Sequence, residues 1–377
     1  MTPSAVSCLQ VGDAIGHYAA LAGIELRTAC RGSDYAFAQA LVRAGVGISL
    51  VPSVALTPER DGLAFVALEP PRPTRYIGVA VPRFRIRVLV DEDGTPHEAR
   101  IELDVALPTV HTIRQGDARD LSWIPDNSIH LIVTSPPYHD LKKYDGGGVA
   151  QLGDIADYRE FLAQLLQVWE ECYRVLVPGG KLFVNVGDVL RSRKQHGRHH
   201  ILPLPSHIRV QCFDLGFDCI NGPIWHKIGN VAYEQDGPGA FLGKPNQPNA
   251  KIKLEIEYVL GFVKPGPYRT PTEKQKRLSF IPNDEHQKIF RQIWDDIPGA
   301  STKNGHPAPF PVELPRRIIR GYSFVGDVVL DPFAGHGNTM HAAMELGRNS
   351  IMNEISRKYV EDMISKAQEV AQRLAAA

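Results

Sequence analysis

Val328-Val329-Leu330-Asp331-Pro332-Phe333-Ala334-Gly335-His336-Gly337-Asn338-Thr339 reads as a short apolar strand that runs into a glycine-bearing turn and then a helix. Glycine lets the backbone approach a bound molecule closely, and a helix amino terminus presents free N–H groups. The next apolar run, Ser350-Ile351-Met352-Asn353, ends on Glu354, 23 positions beyond Asp331. A carboxylate about 20 residues on, at the tip of the second strand, is where a ribose hydroxyl pair is gripped. A pair of glycines says little alone. Strand, turn, helix, strand and acid in that order predict a nucleoside-binding α/β unit.

Outward from this segment, from His111 onward, apolar runs of strand length alternate with amphipathic runs of helix length, the pattern of a parallel α/β sheet. Ile129–Thr134 has the length and composition of a buried strand. Residues 154–177 place Tyr158, Phe161, Leu162, Leu165, Trp169, Cys172 and Leu176 at helical spacing, with Gly179-Gly180 as the stop. Further strands are expected at 181–186, 219–225, Ile256–Val263, 328–330 and 350–353, and helices at 206–215, at 338–346 and from Arg357. Residues 84–110 alternate around Asp91-Glu92-Asp93-Gly94 as a β-hairpin connector. Residues 1–83 read as a separate small α/β unit.

Directly after Ile129–Thr134 comes Ser135-Pro136-Pro137-Tyr138. Two prolines fix the backbone and remove two N–H donors, so carbonyls and the serine hydroxyl are left to point outward. An amino group entering this turn meets acceptors only, beside an aromatic face. Taken alone, the same residues also suit a rigid turn with a core tyrosine.

Together the two motifs resemble those of the amino-methylating DNA methyltransferases, in the permuted order of one subgroup: catalytic turn first, glycine turn near the carboxyl end. Gln115-Gly116-Asp117-Ala118 with Ile124-Pro125-Asp126-Asn127-Ser128 resembles the lead-in to the catalytic turn. Gly179-Gly180-Lys181-Leu182-Phe183-Val184-Asn185-Val186-Gly187-Asp188 resembles the strand after it, and His306-Pro307-Ala308-Pro309-Phe310-Pro311 a segment that closes over the cofactor. The resemblance covers about residues 111–370 and implies a Rossmann-like S-adenosylmethionine-dependent methyltransferase fold. It implies Ser135, Pro136, Pro137 and Tyr138 as the catalytic turn. It places Asp117 near the cofactor adenine, Asp331, Pro332, Phe333, Gly335, Gly337, Asn338 and Thr339 in the cofactor turn, Glu354 on the ribose, and His306 and Pro307 over the methionine part. The chain departs from the family pattern at His336, where serine or threonine is usual, at Asn338, where threonine is common, and at Asn353, where a glycine often stands. Pro315 falls early in the helix expected after His306-Pro307, and an interior proline there would cost a hydrogen bond.

The implied chemistry is methyl transfer to an exocyclic amino group of a base flipped out of DNA. Serine at the first position of the turn goes mainly with cytosine N4 in that family, and aspartate with adenine N6. Cytosine is therefore the expected target and adenine the alternative. No Pro-Cys motif is present, in keeping with direct displacement and no covalent intermediate.

The 377 residues carry 42 basic and 42 acidic side chains, so the whole chain lacks the basic surplus usual in a nucleic-acid binder. Local distribution departs from that balance. Residues 191–200 hold Arg191, Arg193, Lys194 and Arg198 with three histidines and no carboxylate, and a second basic run spans 264–277. With Lys244, these predict DNA contacts from insertions at about 189–205, 229–253 and 264–301 of a methyltransferase domain spanning 111–377. Five scattered cysteines argue against a zinc site, a redox dithiol or a disulfide framework. No run suits a membrane span or a signal peptide, so a cytoplasmic, nucleoid-associated protein is expected.

Residues 1–83 resemble the carboxyl-terminal half of the effector-binding domain of LysR-type transcription regulators, through Ser33-Asp34-Tyr35, the run from Leu41 to Pro52, and Arg75-Tyr76-Ile77-Gly78-Val79-Ala80. The other half of that domain and its DNA-reading helices are not seen, which favours a structural or vestigial role over effector sensing. Double-stranded DNA is the expected partner, with a cognate restriction endonuclease as a further one, for a monomer or a homodimer. Methylation of another planar amide or amine, on protein or RNA, and a non-catalytic DNA-binding or regulatory relic are the alternatives.

Overall fold

The computed structural model describes residues 4–8, 27–32, 84–91, 95–103, 108–139, 151–191, 193–227, 254–299 and 310–376. The chain divides into two compact units, Met1–Val81 and Pro82–Ala377. In the first, β1 (Ser4–Cys8) and β2 (Arg27–Gly32) pair in parallel. The helix and strands expected between residues 33 and 83 lie outside the described residues.

The second unit is built on one 11-stranded sheet. Its centre is a parallel block of β5 (Thr109–Gln115), β6 (Ile129–Thr134), β7 (Leu176–Val186), β14 (Val328–Asp331) and β15 (Asn349–Glu354), ordered β7-β6-β14-β15-β5. Strands buried on both faces need apolar residues at successive positions. β6 supplies them: Ile132 belongs to the cluster under α1 (Tyr158–Val175) and α3 (Leu204–Asp214). Leu131 and Val133 pack on the other side with α6 (Glu313–Tyr322) and α7 (Asn338–Glu345). The last helix, α8 (Arg357–Ala376), packs on β5 and on β4 (Pro96–Leu103) through Val360, Met363, Ile364 and Ala367.

The sheet is extended antiparallel at both ends. β3 (Phe84–Val90) and β4 form the expected hairpin, but it is part of the sheet and no mere connector, because β4 pairs along β5. Residues 92–94 of its turn lie outside the described residues. At the other end β12 (Ile256–Val263) runs antiparallel to β7. β10 (Asp218–Ile220) and β11 (Ile224–His226) both pair with β12, and β13 (Ile293–Trp294) pairs with β11. The single strand expected at 219–225 is thus broken at Asn221-Gly222-Pro223, where proline has no N–H for a ladder. Outside the sheet, β8 (Val189–Arg191) and β9 (His200–Leu202) form a hairpin around the short helix α2 (Arg193–His196). Helices α4 (Glu273–Leu278) and α5 (Asn283–Ile289) lie between β12 and β13 in the chain.

Two helix boundaries differ from expectation for local reasons. α1 starts at Tyr158 because the Asp157 side chain accepts from Glu160 N at 2.8 Å, and Leu152–Asp154 forms a separate 3-10 turn. It ends before Gly179-Gly180, which lie within β7, where Gly179 donates to Lys264 O at 2.8 Å. Pro315 is the third residue of α6, in the first turn, where its missing N–H has no partner inside the helix.

Candidate active site

β5, β6, β14 and β15 are parallel, so the turns that follow them meet at one edge of the sheet. There they border a cavity with about 950 Å³ of empty space, part of it open to solvent. Its wall includes Gly116, Asp117 and Arg119 after β5, Ser135, Pro136, Pro137 and Tyr138 after β6, Pro332 to His336 and Asn338 after β14, and Glu354 and Ser356 at the end of β15. Gln151, Phe310 and Tyr359 also border it. Motifs 197 positions apart in the chain, at Thr134 and Asp331, are neighbours here because β6 and β14 pair directly.

The glycine turn is held from behind. Asp331 is fully buried and accepts hydrogen bonds from Thr134 Oγ1 (2.7 Å), Thr339 Oγ1 (2.7 Å) and Phe333 N (3.1 Å). Burial pushes its carboxyl up to about 6, against the pull of those three donors. Gly337 has φ 72°, and a Cβ there would stand 2.5 Å from Met363 Cγ, so helix packing and backbone conformation both require glycine. None of Asp331, Gly337 and Thr339, all expected at the cofactor, borders the cavity. Their side chains or packing brace the turn whose other residues do.

The three departures from the family pattern also have partners. His336 stands edge-on to Tyr359 with ring centroids 4.7 Å apart, and its Nδ1 is 3.5 Å from Asp362 Oδ2 on α8. Burial lowers its imidazole below the ordinary value. Asn338 donates from Nδ2 to Phe310 O at 2.6 Å and accepts from Lys366 Nζ. Buried Asn353 donates to Gly116 O at 3.0 Å and to Pro332 O at 3.3 Å, joining two walls of the cavity.

On the opposite wall, Asp117 is paired with Arg119, whose Nε is 3.0 Å from each carboxylate oxygen and whose Nη1 reaches Gln164 at 2.7 Å. Burial would raise the Asp117 carboxyl, but the hydrogen bonds and charge of Arg119 outweigh it and hold the group below its ordinary value. Glu354 accepts from Gly335 N and Ser356 N, both at 2.8 Å, while burial pushes its carboxyl up to about 7. Gln151 is buried, and its Nε2 has no hydrogen-bond partner among the described residues. Two carboxylates, the Gln151 amide and the rings of Phe310, Phe333 and Tyr359 suit a nucleoside with a polar tail.

In the Ser135–Tyr138 turn Ser135 is half-buried, and its hydroxyl has no hydrogen-bond partner among the described residues. Tyr138 is fastened at its hydroxyl, which donates to Glu257 Oε1 at 2.9 Å and accepts from Gly187 N at 3.0 Å. Glu257 and Gln151 are missed by reading motifs. A carboxylate inside the apolar run Ile256–Val263 was the signal available for the first; the second carries none.

The expected DNA contacts divide. Arg191 is buried and donates to His139 Nδ1 and, at 3.1 Å, to His196 Nε2, so it pins the β8–β9 hairpin beside the catalytic turn instead of reaching phosphate. Arg193 and Arg198 are exposed on that hairpin. Lys194 lies in α2, and Lys244, His306 and Pro307 fall outside the described residues. The run 264–277 is displaced from the site. Because β12 is antiparallel to β7, the chain leaves it at the far edge of the sheet, where Lys264 Nζ contacts Asn127 Oδ1, Tyr173 O and Leu176 O at 2.8 Å each. Arg269 there holds Asp327, just ahead of β14, at 2.8 and 2.5 Å.

Comparison with known proteins agrees with this geometry. The DNA methylase family model matches residues 129–366, from β6 into α8, and the LysR substrate binding domain model matches residues 4–91. Type II methyltransferase M.MjaI of Methanocaldococcus jannaschii is 36% identical over 284 residues, covering 68% of this chain and 90% of that protein. DNA adenine methyltransferase YhdJ of Escherichia coli (strain K12) is 30% identical over 264 residues, covering 66% and 80%. A solved structure from Thermus thermophilus, described as a putative DNA modification methylase complexed with S-adenosyl-L-methionine, is 44% identical, with a TM-score of 0.57 over 69% of this chain and 94% of that one. The matched span contains the Ser135–Tyr138 turn, the glycine turn and Glu354, and on that ground the chain belongs to the DNA methylase family.

Proposed function

We propose that this S-adenosylmethionine-dependent DNA amino-methyltransferase acts on the N4 amino group of cytosine, in a base turned out of the duplex into the cavity edge at Ser135. The observation that carries the reading is the Ser135 hydroxyl on the cavity wall, without a partner among the described residues and next to two prolines that offer no N–H. Serine here, where the resembling enzymes of adenine carry aspartate, supports cytosine.

S-Adenosylmethionine supplies an electrophilic methyl group on sulfonium. The chain's own residues supply the rest. An exocyclic amino group is a poor nucleophile because its lone pair is delocalised into the ring. Ser135 Oγ and the Pro136 carbonyl accept its two N–H bonds, which raises electron density on nitrogen and aims the lone pair. Methyl transfer from a bound sulfonium would join carbon to this nitrogen, with the C–S electron pair staying on sulfur and one amino proton released to solvent, and positioning is the main source of rate. Tyr138 stacks on the extruded base. Glu354 would receive the ribose hydroxyls and Asp117 would stand near the adenine, with Pro332, Phe333, Gly335 and Asn338 lining the turn that holds the cofactor. His306 and Pro307 are assigned to the methionine part. Arg193, Lys194, Arg198 and Lys244 are assigned to the DNA backbone. The order of the two motifs supports membership of the permuted subgroup. The likeness to M.MjaI makes a cognate restriction endonuclease the partner to look for.

The likeness to an Escherichia coli adenine methyltransferase favours a second reading, adenine N6. The test is to incubate the protein with labelled S-adenosylmethionine and mixed-sequence DNA and to identify the labelled nucleoside. N4-methylcytosine is expected; N6-methyladenine moves the assignment to the second reading. No label together with no cofactor binding would leave a non-catalytic relic.

A further inference from the structure

We propose that Glu257 is a positioning residue for the methyl transfer: its carboxylate holds the ring of Tyr138 in the place where the extruded base stacks. The proposal rests on the assignment of Tyr138 to base stacking.

β12 reads Ile-Glu-Tyr-Val-Leu-Gly-Phe-Val, and its second residue is an acid only 8% exposed. A buried carboxylate is costly unless donors surround it, and a well-packed apolar side chain usually serves stability as well or better. Here three donors converge from three other segments. Tyr138 Oη, beyond β6, reaches Oε1 at 2.9 Å; Asn185 Nδ2, on β7, reaches Oε2 at 2.5 Å; and Lys227 Nζ, just past β11, pairs with Oε1. Lys227 balances the charge.

The hydroxyl of Tyr138 is held on two sides, since Gly187 N donates to it at 3.0 Å while it donates to Glu257. A side chain at Gly187 would need its neighbours to give by a few tenths of an ångström. A Cβ there would stand 3.2 Å from Glu257 Cγ and 3.6 Å from Tyr138 Oη. The far end of the ring is therefore fixed to Gly187, just past β7, and to Glu257 on β12, while Tyr138 also borders the cavity beside Ser135. A tyrosine held only by packing could tilt; one bonded at Oη cannot tilt without breaking two hydrogen bonds. A stacking face displaced by even an ångström misplaces the amino group against Ser135, an error worth about 100-fold in rate.

The experiment compares Glu257→Leu, Glu257→Gln, Tyr138→Phe and Tyr138→Ala in the full chain, on mixed-sequence DNA. Turnover, KM for DNA, S-adenosylmethionine affinity and Tm are read for each. Glu257→Leu is expected to lower kcat by about 10- to 100-fold, with cofactor affinity and KM for DNA within about twofold. Glu257→Gln keeps an oxygen for Tyr138 and recovers most of the rate. Tyr138→Phe keeps the ring but loses the bond, reproduces the kcat loss, and makes Glu257→Leu nearly silent in its background. Should Glu257→Leu not fold, Tyr138→Phe and Glu257→Gln still decide the matter. Unchanged kcat in Tyr138→Phe, equal loss in Glu257→Gln and Glu257→Leu, or full additivity of the two sites overturns the proposal. Unchanged kcat in Tyr138→Ala overturns instead the stacking assignment beneath it.

Discussion

Thr134 donates its hydroxyl to Asp331 Oδ1 at 2.7 Å, and that bond ties the strand leading into the Ser135–Tyr138 turn to the strand ending in the glycine turn. Thr339 donates to the other oxygen, so one buried carboxylate sets the spacing of both turns. Thr134→Val removes one donor and keeps the shape. It should cost ~1–3 kcal/mol, read as a lower Tm. Asp331 has its carboxyl raised to about 6 from 3.8, so its ionisation draws on stability as pH rises through that window. The deficit of Thr134→Val should accordingly be larger at about pH 8 than at about pH 5, where the carboxyl is protonated. A deficit that does not change with pH would contradict the bond.

The proposed assignment of Glu354 to the ribose makes cofactor binding proton-dependent. Its carboxyl is raised to about 7 from 4.5, chiefly by burial. In the cofactor-free protein its ionisation lowers stability as pH rises between those values. A carboxylate that accepts ribose hydroxyls binds in the ionised form, so S-adenosylmethionine affinity should rise with pH through about 7. Calorimetric titration should show this rise in the wild type and a flat profile in Glu354→Gln.

The two kinds of arginine on the β8–β9 hairpin should behave differently. Arg193→Ala and Arg198→Ala, at exposed positions, should weaken DNA binding and each reduce the salt slope by about 1. Arg191→Ala should leave the slope unchanged and lower Tm and kcat, because it frees the hairpin from His139. DNA titrations at several salt concentrations separate the two; a reduced slope in Arg191→Ala would return that residue to the phosphate contacts.

Ser135→Ala removes the acceptor proposed for the amino group and leaves Asp117, Phe333, Gly335 and Glu354 in place. A slowing of turnover by about 10- to 100-fold is expected, the worth of one strong hydrogen bond, with unchanged S-adenosylmethionine affinity. Single-turnover kinetics measure the first and calorimetry the second. An unaltered rate would remove Ser135 from the proposed role.

Much of the sheet and of its helices was legible locally. Ile129–Thr134, Ile256–Val263 and the helix from Arg357 stand where apolar runs and helical spacing put them, because burial on both faces or on one face writes itself into neighbouring residues. Strand–turn–helix motifs are equally local, and Ser135, Tyr138, Asp117, Pro332, Phe333, Gly335, Asn338 and Glu354 all border one cavity. Gly179-Gly180 misled, since glycines that can stop a helix also suit an irregular strand start, and only the pairing with Lys264 decides between them.

What lay beyond the sequence was the partner of each polar group. Asp331, Gly337 and Thr339 have the residue types of a ligand site, yet their partners are Thr134, Met363 and one another. Arg191 reads as one of four basic residues in a solvated run until His139 is found beside it. The basic run 264–277 reads as a DNA contact and lies at the opposite edge, because strand direction is not written in a strand's own residues. The order of apolar runs and turns, set by side-chain burial and backbone freedom, thus determined the α/β core and the two motifs by itself. Whether a charged or glycine residue faces a ligand or braces the turn behind it was decided only by sheet order and strand direction, which bring together groups some 200 residues apart.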